Sequence, residues 1–173
     1  YQGVAFYCPS NSMLATVNST STLNFKYNPL FFLYVKSDRG ATQGSGWYLA
    51  GTWAYISVST TIEGDPGIRY RFDRWSGAYF QYDPKTASNL VQMDGTKVVE
   101  AQWTTQYLLS VSSPHGDVAG AGWYDRGQSA TFFVPPSVAS EEGVRHVFSR
   151  WTGDFSGTSA TGTLAMDAPK SVT

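Results

Sequence analysis

Apolar and polar residues alternate in short runs along the chain. Phe31, Leu33 and Val35 take every second position, as do Ala54, Ile56 and Val58, and then Ile68, Tyr70 and Phe72. Alternation with a period of two turns one face of a strand inward. Gly, Pro, Ser and Thr break every window long enough for an amphipathic helix, so the pattern predicts an all-β chain. Val91 and Met93 predict a fourth strand, Asp94-Gly95 a hairpin turn, and Val99, Ala101 and Trp103 a fifth strand.

The same series then returns as Tyr107, Leu109, Val111; Ala130, Phe132, Val134; Val144, His146, Phe148; and Leu164, Met166. Gly44-Ser-Gly-Trp-Tyr-Leu-Ala-Gly51 recurs as Gly120-Ala-Gly-Trp-Tyr-Asp-Arg-Gly127, at an offset of 76 (120 − 44). At that offset Gly67 falls on Gly143, Arg69 on Arg145, and Arg74-Trp75-Ser-Gly77 on Arg150-Trp151-Thr-Gly153. Past Gly77 the phase slips, because Met93 meets Met166 at 73 (166 − 93). A fixed period with aromatic and glycine positions in phase marks repeated structural units. The expected architecture is two tandem, small β-sandwich-like modules, 29–104 and 105–173, behind an N-terminal β extension, 1–28. Trp47, Tyr48, Phe72, Arg74 and Trp75, with Trp123, Tyr124, Phe148, Arg150 and Trp151, are the expected structural positions of the repeat.

Shifted by the same 76, Leu23, Phe25 and Tyr27 fall on Val99, Ala101 and Trp103, and Asn18 on Asp94. The front of the chain therefore reads as the closing hairpin of an earlier unit. The last residue, Thr173, falls on Glu100, so the final strand has a shortfall at its end. Unpaired strand edges invite another strand. The expectation is that Leu23, Phe25 and Tyr27 anchor a donor strand that completes the last unit of a neighbouring copy. Such a contact is head-to-tail and does not close on itself, which builds a filament. A stalk, adhesin or surface-layer fragment whose strand is completed further along its own chain is one alternative, and a carbohydrate-binding module using exposed aromatics is another.

With 42% hydrophobic, 16% aromatic and 14% charged residues the chain is a folding one. A net charge of −1 gives no basic footprint for nucleic acid or an anionic lipid surface. No apolar run is long enough for a membrane helix. A start at Tyr1 fits an exported or excised chain. Cys8 is the sole cysteine, which leaves no internal disulfide. Asn18-Ser19-Thr20 is an acceptor sequence for N-glycosylation, at the expected tip of a hairpin.

Catalytic chemistry finds little support. His115 and His146 fall opposite Arg39 and Tyr70, outside the repeat, and at no metal-ligand spacing. Gly44-Ser45-Gly46 runs into Trp47-Tyr48 and a strand rather than a helix, so it is a turn and not a nucleophile elbow. Asp73, Asp83, Asp94, Asp154 and Asp167 are scattered over loops, too sparse for a dedicated calcium loop and suited to turn capping. Neither catalytic residues nor a cofactor are expected. Arg74-Trp75 and Arg150-Trp151 fit either a stacked structural pair or a platform for sugars. Trp53, Tyr55, Tyr79, Phe80 and Tyr82 lie outside the shared pattern, as an external patch for a partner such as a cell-surface glycan.

The phased series combines Tyr-Leu-x-Val, Gly-x-Gly-Trp-Tyr-x-x-Gly, Gly-x-Arg-x-x-Phe-x-Arg-Trp-x-Gly, Met-Asp and Lys-x-Val. From Phe31 to Thr173 it resembles the divergent internalin-type B-repeat, also called the bacterial repeat domain, in the form found on archaeal cell-surface proteins. The resemblance implies small β modules strung on exported proteins as stalks, adhesins or wall arrays, without catalytic residues. In architecture the chain is also similar to subunits of archaeal and bacterial surface fibres that link by strand donation. That likeness implies an extracellular, cell-surface location and copies of the chain itself as partners.

Overall fold

The computed structural model describes residues 4–7 and 27–173. Its strands in chain order are β1 (Val4–Tyr7), β2 (Asn28–Ser37), β3 (Thr42–Gln43), β4 (Gly46–Leu49), β5 (Trp53–Val58), β6 (Thr61–Glu63), β7 (Ile68–Ser76) and β8 (Ser88–Gln92). There follow β9 (Lys97–Val111), β10 (Gly122–Asp125), β11 (Ser129–Phe133), β12 (Ser137–Glu141), β13 (Val144–Val147), β14 (Thr161–Ala165) and β15 (Lys170–Val172). Among the described residues no helix is present. The fold is all-β and sandwich-like, with one eight-stranded sheet and three smaller ones of two or three strands among the described residues.

The described residues divide into two compact units. The first takes those up to Thr60 together with Phe72–Gln102; the second takes Thr61–Arg71 and Trp103–Thr173. Residues 61–71 lie within the first sequence repeat, and they form the β6–β7 hairpin of the second unit (Thr61↔Arg71, Ile62↔Tyr70, Glu63↔Arg69). The strand β9 carries the chain from one unit into the next, since its first residues belong to one and its last to the other.

In the first unit β2 pairs with β4 antiparallel and with the start of β9 in parallel, Leu33↔Lys97 through Ser37↔Ala101. A second sheet is made by β3, β5 and β8. Between them Leu33, Ala54, Ile56, Val91, Met93, Val99 and Ala101 are buried, inward positions of the alternation, and Trp75 is buried with them. Phe72 packs on Trp75 with ring centroids 5.4 Å apart.

The second unit repeats this in register. Gly122↔Leu109 and Tyr124↔Tyr107 match Gly46↔Leu33 and Tyr48↔Phe31 at the offset of 76. Leu109, Ala130, Phe132, Val134, Trp151, Met166 and Val172 are the core, with Phe132 edge-on to Trp151 at 5.0 Å. Burying side chains of this size contributes about 1.5 to 3 kcal/mol each before entropy is counted. Of the hairpins β6–β7 and β12–β13 only β7 and β13 are visible in the alternation, because β6 and β12 are short and mostly exposed; Val144, expected to face inward, is 45% exposed.

Candidate functional site

The twice-repeated Gly-x-Gly-Trp-Tyr motif is a structural clasp. Gly44 and Gly120 have φ of +102° and +92°, and an added Cβ would lie 2.2 Å from the Tyr55 carbonyl oxygen and 2.3 Å from that of Thr131. Only glycine permits the turn and the close approach together. Tyr48 and Tyr124 then reach back, and their hydroxyls donate to the Gly44 and Gly120 carbonyls at 3.0 and 2.8 Å. The serine of Gly44-Ser45-Gly46 accepts from the Val35 amide at 3.0 Å, so it fixes the turn.

Trp75 and Trp151 are each 1% exposed. Their neighbours Arg74 and Arg150 point outward, as successive residues of a strand must. Arg74 binds Asp73 (2.8 Å), whose hydrogen bond and charge raise the guanidinium pKa further above its ordinary value. The guanidinium that does lie on an indole is Arg69, 4.5 Å from the Trp123 ring centroid. Arg69 comes from the β6–β7 hairpin and also donates from Nε to Gln106 Oε1 at 2.8 Å. Gln106 is buried and passes the chain on, donating to Asp125 Oδ1 at 2.7 Å, while Arg71 meets Asp125 Oδ2 at 3.0 Å. Burial pushes the Asp125 carboxyl up, but hydrogen bonds from Gln106 and Arg71 and the Arg71 charge outweigh it and hold the group below its usual range. Leu108 N–H donates to the Gly67 carbonyl at 2.9 Å, which seats the hairpin on β9. The sequence marks Arg69 as a repeat position, but nothing local to it names Trp123 as its partner.

The acidic positions of the Met-Asp turns hold the lysine three residues on, Asp94 with Lys97 at 2.6 Å and Asp167 with Lys170 at 2.8 Å. Hydrogen bonds from those lysines lower both carboxyls. Among the described residues no cluster of three metal-ligating side chains occurs. His115 and His146 stack on each other, 3.6 Å between centroids and 6° between planes.

In the second unit the closing strand comes from its own chain as far as Val172. Lys170, Ser171 and Val172 pair in parallel with Leu109, Ser110 and Val111, the register of Lys97–Val99 on Leu33–Val35. Thr152 and Thr173 exchange both backbone hydrogen bonds, at 2.8 and 3.0 Å. Beside Thr173 lies a cleft of about 220 Å³, lined by Val134, Pro135, Val138, Phe148 and Trp151. Thr173 matches Glu100, and the next residue of the first repeat, Ala101, is 2% exposed in the core there. Of the expected donor residues, Leu23 and Phe25 lie outside the described residues, as do Asn18 and Cys8; Tyr27 is 56% exposed.

Trp53, Tyr55, Tyr79 and Tyr82 are all exposed, with Trp53 and Tyr79 6.4 Å apart. Phe80 departs from that patch and is buried, because its bridge to Val91 turns it into the core. A second outward group joins Phe32 to Tyr34 and to Trp47, at 4.5 and 5.2 Å.

No curated protein and no solved structure matches the chain. Residues 107–173, nearly all of the second repeat, match the family model of the divergent InlB B-repeat domain, a family that occurs on bacterial surface proteins and the one that the sequence resembles.

Proposed function

We propose that the chain is a non-enzymatic, load-bearing segment of an extracellular surface structure, in which β units follow one another and tension passes along the polypeptide. The observation that carries this reading is the parallel pairing of opening and closing strands. In the second unit Leu109–Val111 opens the repeat and Lys170–Val172 closes it, side by side and pointing the same way. Tension at the two ends pulls such strands in opposite directions along their length, so the ladder is sheared as a set and not peeled bond by bond. The first unit has the same arrangement in Leu33–Ser37 and Lys97–Ala101. Stretching single molecules tethered at the two ends tests it: two unfolding events at forces well above those of a peeled hairpin are expected, and smooth extension at low force refutes it.

The finer reading is a filament subunit joined head-to-tail by a donated N-terminal strand. The cleft beside Thr173 favours it, since a strand with a small residue followed by an aromatic, the Ala101-x-Trp103 pattern, suits that place. Leu23, Phe25 and Tyr27 are the proposed anchors. Electron microscopy of the full chain and of Phe25→Asp tests this: fibres from the first and none from the second are expected, and fibres from both refute the anchor. The outward aromatics of the first unit support glycan contact as an adhesive role, which a glycan array checks.

A further inference from the structure

The joint between the β6–β7 hairpin and its platform is the template for a second joint, between the equivalent hairpin and the equivalent platform of the other repeat. In the joint that is made, the partners are Arg69 on Trp123, Arg69 on Gln106, and Arg71 on Asp125. Shifting the hairpin forward by 76 gives Arg145 for Arg69 and Val147 for Arg71. Shifting the platform back by 76 gives Trp47 for Trp123, Leu30 for Gln106 and Leu49 for Asp125.

One exchange is matched and one is not, since Leu30 gives Arg145 no counterpart of the Gln106 acceptor. Where the made joint pairs a guanidinium with a carboxylate, the equivalent positions are Val147 and Leu49. The stacking pair is kept, as Arg145 and Trp47. The exposures agree. Ile68, Arg69 and Arg71 are half-buried on their platform, whereas Val144 is 45% and Val147 71% exposed, and Trp47 and Leu49 are 47% and 37% exposed. Large apolar side chains held this far out of a fold are characteristic of an interface.

We propose that the β12–β13 hairpin of one copy docks on the β2–β4 face of a second copy, with Arg145 over Trp47 and Val147 against Leu49. The contact rests on the array reading above and names the residues of its joint. It is heterologous, so copies add in one direction. The edge of β2 that the hairpin would take is held by β1, which pairs Val4 with Phe31; Phe31 is followed by Phe32, the equivalent of the Leu108 that binds Gly67. The sequence Gly3-Val4-Ala5-Phe6-Tyr7 is itself similar to Gly143-Val144-Arg145-His146-Val147, with alanine in place of the arginine. Thus β1 is a cap that the incoming hairpin displaces.

Sedimentation velocity of the full chain over a wide concentration range tests the proposal. Concentration-dependent, one-directional association is expected. Val147→Arg and Leu49→Asp, made singly, are each expected to weaken it about tenfold, which is about 1.4 kcal/mol. The double variant recreates the internal ion pair and is expected to recover association to within about threefold of the parent, a range set by the usual size of exposed pairs. Removing residues 1–7 is expected to strengthen it. Unchanged melting of the single variants shows that they fold, since both positions are exposed. A strictly monomeric parent, single variants without effect, or a double variant no better than either single one overturns the inference. None of these touches the stretching test of the load-bearing reading.

Discussion

The indole N–H of Trp151 donates to the Ser159 carbonyl at 3.0 Å, whereas Trp75, at the same place in the first unit, buries its Nε1 without an acceptor among the described residues. The loop after Gly77 is three residues longer than the one after Gly153. A buried donor left unpaired costs about 1 to 3 kcal/mol. Trp151→Phe is therefore expected to destabilise by about 1 kcal/mol more than Trp75→Phe, read from chemical denaturation of the two variants.

The glycine clasp separates two kinds of cost. Gly51 has φ +81° but open space where a Cβ would go, while at Gly44 a Cβ would strike the Tyr55 carbonyl. Gly51→Ala should cost about 1 to 2 kcal/mol, the strain of a left-handed conformation alone. Gly44→Ala should cost clearly more, as backbone must move. Equal melting temperatures for the two variants would contradict this account.

Acid should loosen the second unit through Asp125. Its pKa is lowered in the folded state, so its contribution is present above the unfolded value of about 3.9 and is lost as pH falls through the folded one. Because Arg71 and Asp125 remain 41% and 27% exposed, the effect is expected to be below about 1 kcal/mol. Asp125→Asn should melt below the parent at pH 7 and converge with it as the pH falls through the folded-state value.

Tyr124→Phe removes only the hydroxyl that holds Gly120. A loss of about 1 kcal/mol is expected, with an equal loss for Tyr48→Phe in the first unit. A difference between the two would mean that the two clasps are not equivalent.

Much of this fold is legible in the sequence because a strand's inward face has a period of two and the repeat states it twice. Leu33 and Leu109, Ile56 and Phe132, and Met93 and Met166 are all buried where the alternation puts them. The pairing of Arg69 with Trp123 is not legible, since it joins one repeat to the other and leaves no local mark. Phe80 misleads for a related reason: it sits in a loop without alternation, and only its bridge to Val91 shows that it turns inward. The partner strand β6 hides because Thr61 and Glu63 are exposed and polar, which reads as a loop.

The loan of residues 61–71 to the second unit offsets the period of duplication from the period of packing. Excising the second repeat at its apparent boundary would strip Trp123 and Asp125 of both arginines. A deletion of residues 61–136 would instead join Thr60 to Ser137 in phase, so that a shortened gene still encodes a hairpin in the right place. Lengthening and shortening by recombination are thus better tolerated at Thr60 than at the seam a reader of the sequence would choose.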